Sequence, residues 1–270
     1  MGLRPCDGLI FCGKRCKMLD RPGSGVMTDS GEVRCPDRSV AAPFLLGESA
    51  SMQHALEVFV ETLCLDIQSP EAIPSALMLL REAELVVLPT DTVYGLGAHA
   101  FLERAVARLY QVKERPAHVS IPLLIEGAEM MSVVCAEIPP LAWRLAEEFW
   151  PGGLTLILKR TPLVPDSVTA GGDTVGVRVP DQPWVRRICR ELGAPLAVTS
   201  ANLHGKPDPV SAGDTEAMLR GRVRLILDGG RCPGGVASTV LDLTVSPPAI
   251  LRAGPVTAGL LAEVTSIQTD

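Results

Sequence analysis

The segment Leu85–Gly97, LVVLPTDTVYGLG, constrains the fold more than any other part of the chain. Its first four residues, Leu85-Val86-Val87-Leu88, form the short apolar run expected of a buried strand. Pro89 has no N–H to donate, so the ladder stops there. Thr90, Asp91, Thr92 and Tyr94 follow, a dense set of hydroxyls and one carboxylate. Gly95 and Gly97 allow a sharp turn or a close approach to a ligand. The next stretch, Phe101–Val112, has a helical stripe of Phe101, Leu102, Ala105, Val106, Leu109 and Tyr110. The segment thus predicts a strand feeding a helix through a polar turn, a usual place for a ligand in an α/β sheet. The hydroxyls would serve equally well as caps for that helix. Gly95-x-Gly97-x-x-Ala100 also meets a loose dinucleotide fingerprint, but the polar insert from Thr90 separates its first glycine from the strand.

Such a sheet needs an aliphatic core, and 47% of the residues are hydrophobic while only 4% are aromatic. A formal charge of −6 argues against wholesale non-specific nucleic-acid binding and leaves room for a local basic pocket. No uncharged apolar run approaches the length of a membrane span. The start of the chain lacks the clean apolar stretch of a secretory signal, so the eight cysteines are expected as free thiols in a reducing cytoplasm. Cys12 and Cys16, with Cys6 and Cys35 nearby, have irregular spacing and form no CxxC pair, so no metal site is expected from them.

Residues 1–51 are interrupted throughout by Gly, Pro, Ser, Arg and Asp, a composition that predicts a disordered extension. A folded domain is expected over 52–270. Within it, strands are predicted at Thr62–Ile67, Ile121–Ile125, Leu154–Lys159, Val175–Val179, Pro195–Thr199, Val223–Asp228, Thr239–Leu243 and Ala249–Arg252. Helices are predicted after Ser69-Pro70-Glu71 and over Pro139–Trp150 and Pro183–Leu192. Asp166–Asp173 and Asn202–Ser211 are expected as loops. Strands and helices interleave, yet some strands follow one another directly, which predicts an α/β fold with a twisted mixed sheet and helices packed on it.

Candidate chemistry lies in four places. Lys113 and Arg115, in KERP, end a predicted helix, where cations are either solvated or able to clamp a phosphate. Ser200 and Asn202, in TSAN, follow an apolar strand and either cap the next turn or bond a ligand. Arg178, inside TVGVRVP, and Arg252, inside ILRAGP, are charges on strands that face either solvent or a carboxylate. The four histidines are scattered, and no Ser/His/Asp set is apparent.

In order, the chain carries PTDTVYGLG, KERP, WPGGLTLIL, TVGVRVP, TSAN, ASTVLDL and ILRAGP. Together these motifs, over about Ser69 to Gly259, resemble the signatures of the YrdC-like family, the L-threonylcarbamoyladenylate synthases, in a short single-domain form. The family's element KxRP usually has another Lys shortly after it, where this chain has Val119. The resemblance implies a YrdC-like fold with a concave ligand cleft. It implies a nucleotidyltransferase that joins L-threonine, bicarbonate and ATP into L-threonylcarbamoyl-AMP and pyrophosphate. Magnesium would accompany ATP, bridging its phosphates. Partner proteins would then transfer the product to the tRNA adenosine beside the anticodon, with no stable direct tRNA contact by this chain. On the same resemblance, Lys113, Arg115, Thr174, Asn202 and Arg252 would touch ATP, with Lys113 and Arg115 acting in catalysis. Thr90, Arg178, Ser200 and Ser238 would hold threonine. An RNA-binding module would use the same basic cleft, but basic and aromatic residues are not interleaved here. A carbamoyl-transferring relative would be expected to carry further domains.

Overall fold

The computed structural model describes residues 60–265. The extension expected over 1–51, its four cysteines and the boundary at Met52 lie outside those residues. In chain order the first elements are β1 (Leu63–Asp66), α1 (Ala72–Arg81), β2 (Val86–Leu88), β3 (Gly95–His99) and α2 (Glu103–Lys113). Next come β4 (Leu123–Leu124), α3 (Met131–Val134), β5 (Cys135–Ala136), α4 (Pro140–Phe149), β6 (Leu154–Arg160) and α5 (Asp166–Thr169). The chain continues with β7 (Thr174–Arg178), α6 (Pro183–Leu192), β8 (Leu196–Ser200), α7 (Ala212–Leu219) and β9 (Leu225–Asp228). It closes with β10 (Thr239–Asp242), β11 (Ala249–Arg252) and α8 (Ala258–Thr265).

Among the described residues the strands form one 11-stranded sheet, ordered β1-β9-β2-β3-β8-β4-β7-β6-β10-β11, with β5 attached to β6. Neighbours β1/β9, β9/β2, β4/β7 and β6/β10 are parallel, and the others are antiparallel. The sheet is therefore mixed, as the interleaved pattern predicts. Strand side chains alternate between faces. Val86 and Leu88 join Leu225, Leu227 and the buried residues of α1 and α6 on one face. Val87, Leu96 and Ile226 join α2 and α4 on the other. Pro140 and Pro183 open α4 and α6, where the missing N–H costs nothing.

Two expectations are corrected. The strand after Leu85 does not feed a helix through a glycine turn. Gly95–His99 is a strand, paired to β2 on one side and β8 on the other. Its glycines serve sheet packing: a Cβ on Gly95 would meet Val198 Cγ1 at 2.5 Å, and one on Gly97 would meet Leu88 Cδ1 at 3.1 Å. The expected loop Asp166–Asp173 begins with the short helix α5. Helices α7 and α8 come without a sequence-based expectation. For α7 the cause is local: Ser211 Oγ accepts the Asp214 N–H and the Asp214 side chain accepts the Ser211 N–H, a capping box.

Candidate active site

Strand ends and loops from across the chain converge on one cleft. Its wall includes Thr90, Thr92 and Tyr94 after β2, Arg178 at the end of β7, Ser200 at the end of β8, and Ser238 and Arg252 on the β10–β11 side. Arg115, Thr155, Thr199 and Asp208 complete its polar lining. No histidine or cysteine lines it.

Thr90 shapes the loop. Its Oγ1 donates to the Val93 carbonyl at 2.6 Å and accepts the Thr92 and Val93 N–H groups at 3.1 and 3.2 Å. Thr90 Oγ1 also lies 3.0 Å from Thr92 Oγ1. Tyr94, fully buried, donates to the Gly230 carbonyl at 2.6 Å and accepts the Gly229 N–H at 3.1 Å. That pins the loop after β9 beside the cleft, and burial pushes the phenol pKa up.

Lys113 is not the solvated helix end its position suggests. Ala105, Val106, Leu109 and Lys113 are the buried residues of α2, so the lysine continues the apolar stripe four residues after Leu109. Its side chain is 2% exposed. Nζ donates to the Ser200 carbonyl, to Ser200 Oγ at 3.1 Å and to Asn202 Oδ1 at 2.6 Å, three acceptors for three N–H bonds. Burial, then Arg115, lowers its pKa to about 8. Glu114 takes a left-handed conformation, φ 55°, that ends α2. The Arg115 N–H then bonds the Tyr110 carbonyl at 3.0 Å, turning Arg115 back toward the cleft. Its guanidinium is steadied by the carbonyls of Val119 at 3.2 Å and Ser120 at 2.9 Å.

Arg178 is buried and donates to the Gly152 carbonyl, Thr92 Oγ1 and Asp91 Oδ1 at 2.8, 2.9 and 2.5 Å. Of the two alternatives for a strand arginine, it faces a carboxylate. Ser238 Oγ lies 2.8 Å from Thr155 Oγ1 and accepts from Arg252 Nη2 at 3.0 Å, while Arg252 Nε donates to the Ser238 carbonyl at 2.9 Å. Burial lowers the pKa of Arg115, Arg178 and Arg252 alike, a desolvation cost that an anion in the cleft would offset.

Six of the nine expected residues, Thr90, Arg115, Arg178, Ser200, Ser238 and Arg252, line this cleft. Lys113 and Asn202 lie behind its wall, joined to it through Ser200 Oγ, which donates to Asn202 Oδ1 at 2.7 Å. Thr174 stands apart. It opens β7 opposite Lys159, at the far end of the strand from Arg178, roughly 13 Å away at strand spacing. Sequence reasoning left out Thr92, Thr155 and Asp208. Thr92 and Thr155 sit inside quoted motifs and were legible as hydroxyls, whereas Asp208, in a Gly/Pro loop, carries no local signal.

The sequence profile for Sua5, YciO and YrdC proteins, described as telomere recombination, matches residues 78–254. The chain belongs to the Sua5/YciO/YrdC family. Within that family it is 45% identical over 175 residues to a threonylcarbamoyl-AMP synthase of Pyrococcus abyssi, covering 65% of this chain and 52% of that protein. It is 43% identical over 189 residues to the Bacillus subtilis protein of the same name, covering 68% and 54%. This Sua5/YciO/YrdC chain thus spans about half the length of these two curated relatives. A crystal structure of Pyrococcus abyssi Sua5 complexed with L-threonine matches with a TM-score of 0.73 at 40% identity, over 75% of this chain and 61% of that one. The YrdC-like α/β fold implied by the motifs is the fold observed. Among the described residues no helix is long and apolar enough to cross a membrane, and no cluster of His, Cys, Asp or Glu is suited to hold a metal.

Proposed function

We propose that this chain is an L-threonylcarbamoyladenylate synthase, joining L-threonine, bicarbonate and ATP into L-threonylcarbamoyl-AMP and pyrophosphate. The observation that carries this is the convergence of Arg115, Arg178 and Arg252 on one cleft that also holds the hydroxyls of Thr92, Thr155, Ser200 and Ser238. Three fixed cations suit a triphosphate and a carboxylate, and the hydroxyls suit a small polar amino acid. In this reading Arg178 takes the threonine carboxylate, and Ser200 and Ser238 read its polar groups. Thr90 acts through the loop that it shapes. Arg115 and Arg252 take the phosphates. Lys113 supports Ser200 and Asn202 and adds its charge from behind the wall.

The chemistry asks for no nucleophile from the protein. The threonine amine adds to bicarbonate and a C–O bond breaks to release water, giving a carbamate whose oxygen attacks the α-phosphorus of ATP. A P–O bond forms, the α–β phosphoanhydride breaks, and its electron pair leaves with pyrophosphate. The cleft supplies position and charge neutralisation. Magnesium would accompany ATP and offset phosphate charge, and Asp208, the carboxylate on the cleft wall, would be the residue to hold it. The product would pass, in the cytoplasm, to proteins that transfer threonylcarbamoyl to tRNA. The test is pyrophosphate release. It should require ATP, bicarbonate and threonine together, and release that ignores threonine would overturn the assignment.

A further inference from the structure

Arg178 is held by more than a cleft wall needs. A guanidinium carries five N–H bonds. Nε–H is taken by the Gly152 carbonyl, one Nη1–H by Thr92 Oγ1 and one Nη2–H by Asp91 Oδ1. One N–H therefore remains on each terminal nitrogen, two donors suited to the two oxygens of a carboxylate. Thr92 and Arg178 line the cleft, whereas Asp91 does not. The Arg178 and Asp91 side chains are 7% and 14% exposed, so this is an ion pair largely withdrawn from water. Asp91 is itself anchored: Oδ1 also accepts the Asp181 N–H at 3.1 Å, and its backbone carbonyl accepts the Gly234 N–H at 3.0 Å.

We propose that Asp91 is a positioning residue for threonine recognition: from behind the wall it fixes the plane of Arg178, so that the two remaining N–H groups meet the substrate carboxylate. The inference rests on the proposed function for the identity of the carboxylate, and on the hydrogen bonds alone for the device. Because Asp91 balances the charge of Arg178, threonine is selected by the direction of two N–H bonds more than by net charge. A guanidinium without this partner would keep its charge and lose its aim. ATP, held by other cations, would not be affected.

The test uses the full chain with Asp91→Ala and Asp91→Asn. Pyrophosphate release is measured with threonine and ATP varied separately, and the Arg178 Nη–H resonances are followed by ¹H–¹⁵N NMR. Asp91→Ala should raise the threonine KM by about ten-fold or more, leave the ATP KM within about two-fold, and lose the Nη2–H signal, which Asp91 holds, to solvent exchange. Asp91→Asn keeps an oxygen acceptor and should fall between wild type and Asp91→Ala. An unchanged threonine KM with a persistent Nη2–H signal in Asp91→Ala would overturn the proposal. So would a parallel rise of both KM values with a lowered melting temperature in both variants, which is the mark of a purely structural pair. A wild type that ignores threonine would remove the proposed function, and the Nη2–H signal would then decide alone whether Asp91 holds Arg178.

Discussion

Lys113 Nζ lies 2.6 Å from Asn202 Oδ1, a contact between residues 89 apart in the chain. It ties the end of α2 to the segment after β8 and buries a positive charge beneath the cleft. With every N–H of the ammonium taken, Lys113 acts on the site through the groups it holds and through its field.

That burial gives Lys113 two opposite pH dependences. Its folded-state pKa is lowered from 10.5 to about 8, so between those values the unfolded chain binds more protons. Without ligand, stability should therefore rise with pH across that window, relative to Lys113→Met. ATP affinity should instead fall as pH rises through about 8, because the bound phosphates lose a cation. Urea unfolding and ATP titration at a series of pH values, on both proteins, check the two slopes. Parallel profiles in wild type and variant would contradict the assignment.

Arg252→Ala should slow pyrophosphate release by roughly ten- to a hundred-fold, since charge-assisted contacts to phosphate are worth about 1.5–3 kcal/mol. Arg115→Lys should also lose activity, because an ammonium cannot span the Val119 and Ser120 carbonyls and a phosphate as the planar fork does. Steady-state kinetics with ATP varied measures both. Near-normal turnover in both variants would remove the phosphate clamp.

Valine has the shape of threonine without its hydroxyl. Ser238 and Thr155, whose hydroxyls lie 2.8 Å apart, would face a methyl group and leave a polar group unpaired, at about 1–3 kcal/mol. Valine should therefore react about ten- to a hundred-fold more slowly. Competition between the two amino acids for pyrophosphate release reads the ratio directly, and a ratio near one would discard this pocket.

Gly254 sits where the chain leaves β11. A Cβ there would lie 2.4 Å from the Thr239 nitrogen and 2.5 Å from the Ala237 carbonyl oxygen, both backbone atoms. Gly254→Ala should destabilise the domain by about 1–3 kcal/mol and displace Ser238 and Arg252 with the backbone. A melt paired with an activity assay should show both losses.

The elements that were legible in sequence are those whose burial is continuous or strictly periodic. The strand at Leu154 and the helix at Pro183 begin at the residues expected. The strand Gly95–His99 was not legible, because its glycines carry a turn signal and their reason, the approach of Leu88 and Val198, lies on neighbouring strands. Lys113 was legible as a stripe residue four positions after Leu109, yet its charge argued for solvent. The Asp91–Arg178 pair and the Thr155–Ser238 contact join residues 87 and 83 apart, and only the strand order makes them neighbours. The motifs named most of the cleft wall, but not which side chains face the ligand and which hold those that do.

The strand order has a consequence for synthesis. β1 pairs with β9 more than 150 residues later in the chain, and β6 waits for β10. Loops of that length close before their contacts repay the entropy, so such a topology folds slowly. On the ribosome no partial cleft can form early: Arg178 and Ser200 emerge well before Ser238 and Arg252, and β10 and β11 supply the last wall. A nascent chain would carry an unpaired edge on β6 until then, a surface that must be kept from other strands by speed of translation or by a chaperone.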